Sequence, residues 1–119
     1  MTRMTDTDLR AYLGEAWADT TDDQRVAIMS AAEAIDARWP EGDLADSRQE
    51  ALAAAVAVIL GDDTLEAVAT AWRQARERER RFHAAMTGAI IAAAPGQTEV
   101  ALSERAGVTR VTVRKALGR

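Results

Sequence analysis

Apolar residues recur along this chain at the three- and four-residue spacings of helix faces, and the pattern is helical throughout. Leu9, Tyr12, Leu13, Ala16 and Trp17 form the first stripe. They follow a threonine- and aspartate-rich start able to cap a helix, which predicts a helix over Asp6 to Ala18. Thr21, Asp22, Asp23 and Gln24 make a capping-box sequence. Ile28, Ala32, Ile35 and Trp39 then share one face until Pro40 and Gly42 stop the second helix. Ser47 to Glu50 repeats the capping form, with Asp43 as an earlier alternative start, and Leu52, Val56 and Ile59 line the buried side of the third helix. Gly61 closes it, and Asp62, Asp63 and Thr64 open the next.

That next helix is the longest, predicted over Leu65 to Ala94. Its apolar residues follow a seven-residue repeat in two interleaved sets, Leu65, Trp72, Met86 and Ala93 with Val68, Ala75, Phe82 and Ala89, broken only at Glu79. Such a seam packs against partner helices, within the chain or across a dimer. Its end, Phe82 to Ala94, also serves as the first helix of a C-terminal three-helix unit, with Met86 and Ile90 under the helices that follow. A break near Arg80 or Gly88 would make it a hinge rather than a strut, and the sequence leaves both open.

Gly96 to Arg119 reads as two short helices joined by a tight turn. Ser103 is the small residue where the backbones approach, and Gly107 takes the turn without a Cβ penalty. Leu102, Ala106, Val108, Val113, Ala116 and Leu117 are spaced to face one another. Thr109 stands at the N-cap of the second helix, expected over 109–118. On that helix Arg110 and Arg114 lie one turn apart, as do Val111 and Lys115, so one face presents two guanidiniums, an ammonium and an isopropyl group. Arginine pairs bidentately with guanine, an aliphatic group lies on a thymine methyl, and lysine or threonine holds phosphate, so this face suits a DNA major groove.

The run AGVTRVTVRKAL resembles the turn and recognition helix of bacterial and phage trihelical helix-turn-helix regulators, in the manner of repressor heads and site-specific recombinases. The likeness covers about the C-terminal third of the chain and points to a superfamily. It implies that Thr109, Arg110, Val111, Arg114 and Lys115, with Thr112 and Arg119, approach bases and nearby phosphates, while Gln97 and Thr98 anchor the DNA backbone. Ser103 departs from the alanine usual at its position and leaves a hydroxyl in need of a partner, such as its own helix carbonyl. The residues after the second helix leave no length for a wing hairpin, so a wingless arrangement is expected.

The net charge of −4 at first argues against a nucleic-acid partner, but its distribution reverses the argument. Through Trp72 there are 15 acidic side chains against 5 arginines, or −10; from Arg73 onward there are 10 basic against 4 acidic, or +6. A basic end would meet DNA while an acidic body is turned away. Arg73, Arg76, Arg78, Arg80 and Arg81 crowd the middle of the long helix among Glu77 and Glu79. The spacing favours a solvated, ion-paired face, Arg73 with Glu77 and Glu77 with Arg81; auxiliary phosphate contact by Arg80 and Arg81 is the other reading.

With 119 residues, 48% of them hydrophobic, the chain can bury one real core with a small appendage. It has no cysteine and a single histidine, His83, so disulfides, thiolate sites and an ordinary zinc site are excluded, and no metal or cofactor is expected. No signal-like start is present, and the longest apolar run, Ala51 to Leu60, falls far short of the roughly 20 residues that span a bilayer. Trp17, Trp39 and Trp72 sit on predicted buried stripes and are expected in the core rather than around a small-molecule ligand. The pairs Asp22 with Asp23 and Asp62 with Asp63 fall at helix starts, where they complement the helix dipole. There is no phosphate-cradling glycine loop and no nucleophile with an evident base, so no enzyme is expected.

The sequence thus predicts an all-α protein. An N-terminal body over 1–78 would carry a homodimer interface and a surface for a protein partner. A shared helix, about 64–94, would lead into a C-terminal helix-turn-helix unit over 79–119. The expected function is sequence-specific binding of a palindromic double-stranded site by a cytoplasmic, nucleoid-associated regulator, most simply a repressor. The competing class is a non-enzymatic interaction module, antitoxin- or adaptor-like, that uses the same helices as a partner surface.

Overall fold

A computed structural model of the chain describes residues 4–40 and 45–119. The protein is all-α: its regular elements among these residues are α1 (Asp6–Leu13), a 3-10 segment (Gly14–Asp19), α2 (Asp22–Arg38), α3 (Ala45–Leu60), α4 (Leu65–Ala93), α5 (Glu99–Ala106) and α6 (Arg110–Ala116). The chain divides into two compact units, Met1–Thr70 and Ala71–Arg119, and each holds its own apolar cluster.

The first unit is built around Leu9, Ile28 and Val56, one buried side chain from each of α1, α2 and α3, with Leu13, Trp17, Met29, Leu52 and Ile59 packed against them. Side-chain caps start α1 and α2. Thr5 and Asp8 form a capping box on α1, and the Thr5 bonds hold the Asp8 carboxyl below its ordinary value. On α2 the Thr21 N–H donates to Gln24 Oε1 at 2.9 Å while the Gln24 N–H donates to Thr21 Oγ1 at 3.1 Å, the reciprocal pattern its sequence predicts. Trp39, kept out of the helical region before Pro40, ends α2. The expected roles of Gly42 and Asp43 lie outside the described residues. Helix α3 begins before Ser47, which sits inside the helix rather than at its cap.

The first helix departs from expectation. It does not run to Ala18 but stops at Gly14, whose φ of 55° and ψ of −126° take it out of helical space, and the chain continues as a 3-10 turn. The change of pitch leaves Tyr12 exposed while Trp17 reaches the core. A long-range tie holds this geometry. The Arg25 guanidinium lies 3.9 Å from the Trp17 ring centroid, donates to the Trp17 carbonyl at 2.8 Å and donates to Thr20 Oγ1 at 2.6 Å.

Helix α4 runs unbroken through both Arg80 and Gly88. Its start is capped by Thr64, whose Oγ1 accepts the Ala67 N–H at 3.1 Å. The seven-residue seam is covered near its end, where Met86 and Ala93 pack beside the buried Ile90, and Val68 near its start is half-buried. Further back, Leu65, Trp72 and Phe82 are 70%, 58% and 69% exposed. Trp72 is therefore not a core residue as its stripe suggested; Arg76 lies over its ring at 4.9 Å instead. A heptad pattern marks a face fit for packing, not whether anything lies on it.

The second unit packs Ile90 of α4, Leu102 of α5 and Val113 of α6 around one centre, with Met86, Ala94, Val108, Ala116 and Leu117 at its margin. Thr98 caps α5 by accepting the Ala101 N–H at 3.0 Å. Gly107 ends it at φ 68°, ψ 30°, a left-handed position at which any side chain would be strained. The Ser103 carbonyl accepts N–H bonds from both Gly107 and Val108. The Ser103 hydroxyl, expected to bond to a helix carbonyl, makes no hydrogen bond among the described residues.

Candidate nucleic-acid interface

The face that α6 shows to solvent follows from what it buries. Val113 is fully enclosed, and Ala116 and Leu117 flank it on the core side. At helical spacing this sends Arg110, Val111, Arg114 and Lys115 outward. Val111 is 56% exposed, so its isopropyl group is largely uncovered among the described residues. Thr109 starts the helix by accepting the Thr112 N–H at 3.2 Å, and the two hydroxyls share a further bond of 3.0 Å. The helix is one turn shorter than the expected 109–118. After Ala116 the chain turns at Gly118, and the Arg119 N–H donates to the Arg114 carbonyl at 2.9 Å.

The four cations of this region are not equivalent. Arg110 and Lys115 enter no ion pair among the described residues. Arg114 does: its Nε lies 3.2 Å from each carboxylate oxygen of Glu99, and Arg119 approaches the same carboxylate at 3.9 Å. Glu99 is thus a brace between the start of α5 and the end of α6. Because the bond to Arg114 uses Nε, the two terminal nitrogens of that guanidinium keep their outward donors, in a plane fixed by the brace. Gln97 and Thr98 stand immediately before Glu99, so the brace brings their segment to the Arg114 side of α6.

Glu99 escaped the sequence reading because it looks like an ordinary first-turn acid on α5, and its partner lies fifteen residues away, beyond any local pattern. On α4 the reading is altered too. Glu77 pairs with Arg80 at 2.7 Å, at i,i+3, rather than with Arg81 at the expected i,i+4. The α4 side chains that share a cleft with α6 are His83 and Thr87, not Arg80 or Arg81.

Together the arrangement offers a polyanion two unpaired cations, one oriented guanidinium and an exposed aliphatic group on one short helix that carries no acid. Other chemistry finds no comparable assembly. The described residues contain no group of three or more metal-ligating side chains, and no helix long and apolar enough to cross a membrane. Trp17 is taken up by the first core, Trp39 lies beside Arg38 at 5.0 Å, and Trp72 is in solvent.

No family model, curated protein or solved structure matches this chain.

Proposed function

We propose that this chain is a sequence-specific double-stranded DNA-binding protein, a dimeric regulator of repressor type, with α5 and α6 acting as a helix-turn-helix. The observation that carries the reading is the outward face of α6, where Arg110 and Lys115, without an ion-pair partner among the described residues, stand beside an exposed Val111 on a helix anchored by buried Val113. A cation pair alone would suit any anionic partner. An exposed isopropyl group between them suits the major groove, where phosphates flank polar base edges that also carry thymine methyls. The open α4 positions Leu65, Trp72 and Phe82 supply apolar area for a second copy, and two readers about 34 Å apart would engage successive major grooves of a palindrome.

Selection of bound fragments from a randomised duplex pool at near-physiological salt is the direct test. Enrichment of an inverted repeat is the expected result. Weak binding that salt erases, with no enriched sequence, would remove this reading and leave the protein-interaction module, in which the same helices meet a protein partner.

The brace gives a second expectation. Glu99→Gln removes a negative charge from the DNA side and loosens Arg114 and Arg119. The pair is partly exposed, so folding stability should fall by less than about 1 kcal/mol. Affinity for unrelated duplex should rise while discrimination between the selected site and a scrambled one falls severalfold. Unchanged discrimination in a competition assay would show that Arg114 does not read bases from its braced position.

A further inference from the structure

Between α4 and α6 lies a cleft of about 270 Å³ lined by His83 and Thr87 on one wall and by Thr112, Lys115 and Ala116 on the other. We propose that it seats one phosphodiester of the bound duplex, an inference that rests on the DNA-binding reading and adds a contact from outside the two short helices.

The lining has the composition an anion requires. Lys115 supplies an ammonium, Thr87 and Thr112 supply hydroxyls, His83 supplies a ring N–H, and none of the five residues is acidic. Ala116 keeps the α6 wall low. The space is enough for a phosphate group with part of its hydration. The walls come from helices held together by the Ile90, Leu102 and Val113 core, so the backbones that carry the donors are in place before any ligand arrives.

The threonine pair at the head of α6 adds direction. Thr109 Oγ1 already accepts the Thr112 N–H, and the two hydroxyls lie 3.0 Å apart with either able to donate. A phosphate oxygen that accepts the Thr112 hydroxyl proton requires Thr109 to donate to Thr112. The result is a chain of donors that ends on the anion.

The assignment also divides the labour of α6. Lys115 is given to the backbone, and base discrimination falls to Arg110, Val111 and the outer edge of Arg114. A backbone clamp placed on α4 fixes how deeply and at what register α6 enters the groove, without reading sequence itself.

The test uses the full chain and two duplexes, the one recovered by selection and a scrambled control, in fluorescence anisotropy titrations over a range of salt. Thr87→Val, which keeps the side-chain shape, and His83→Phe, which removes the ring N–H at an exposed position, should each weaken binding about tenfold to both duplexes, leaving their affinity ratio unchanged. Lys115→Met should lower the slope of log K against log salt by about 1. If the wild-type chain selects a site but Thr87→Val and His83→Phe bind it undiminished, the cleft proposal is overturned and the DNA reading stands. A change in the affinity ratio would overturn it as well, by making the cleft a base reader. Inorganic phosphate that shifts the Thr87 and Thr112 amide resonances, with DNA affinity of the variants unaltered, would assign the cleft to a free anion instead. A wild-type chain that binds no duplex removes both proposals together.

Discussion

Arg110→Glu combined with Lys115→Glu is expected to reduce duplex affinity by about a thousandfold or more while the protein remains folded. A bidentate arginine contact to guanine contributes about 1–3 kcal/mol of discrimination, and each lost phosphate contact forfeits the release of a counterion. Reversal adds repulsion to both losses. These two positions are the right ones because nothing in the fold depends on them: both are exposed, and neither has an ion-pair partner among the described residues. Their exchange should move folding stability by no more than about 0.5 kcal/mol. Reversal of Arg114 would be a poorer experiment, since a glutamate there would face Glu99 across the brace and confound loss of binding with loss of structure. Anisotropy titration beside circular dichroism and light scattering checks the result. A doubly reversed protein that still selects the same duplex would show that the α6 face is not the reader.

What the chain disclosed before its structure was known separates cleanly by the range of the interaction. Capping is local, and Thr21 with Gln24 and Thr109 act where their sequence places them. So does Gly107, because a turn that demands positive φ names its residue. The buried triplet Ile90, Leu102 and Val113 follows from helical periodicity in three short stretches. Contacts that close over distance were invisible. Arg25 folds back on Trp17 from eight residues downstream, and Glu99 meets Arg114 across fifteen. Neither has a spacing that a helix repeat would flag.

The break at Gly14 was hidden for a different reason. The apolar stripe continues through it, and the rotation introduced by a 3-10 turn still delivers Trp17 to the core. Trp72 and Phe82 show the converse limit, since a sequence pattern describes a face but not whether anything lies on it. The cleft residues His83 and Thr87 carry no motif at all. They acquire a reading only because α4 places them across from Thr112 and Lys115.

Val113→Asp should have the largest effect on folding of any single change in the second unit, and Val111→Asp, two residues away, should have almost none. Val113 is fully buried between Ile90 and Leu102, with no polar group of the cluster to receive a carboxylate. Burial of an unpaired charge costs several kcal/mol after relaxation. A unit of this size has roughly 0.05–0.15 kcal/mol per residue of stability to lose, so the substitution is enough to unfold it. The first unit shares no core residue with the second, and its cluster of Leu9, Ile28 and Val56 should persist. Amide exchange distinguishes these outcomes: protection should vanish across α5 and α6 and remain in α2 and α3. Val111→Asp keeps all protection, because that position is already in solvent, yet it should lose DNA binding by removing the aliphatic contact and setting a negative charge against the duplex. The pair of variants separates the two faces of one short helix, the inner face needed for the fold and the outer face needed only for recognition. Protection lost throughout the chain in Val113→Asp would mean that the first unit requires the second, and protection lost in Val111→Asp would mean that this valine is covered in solution.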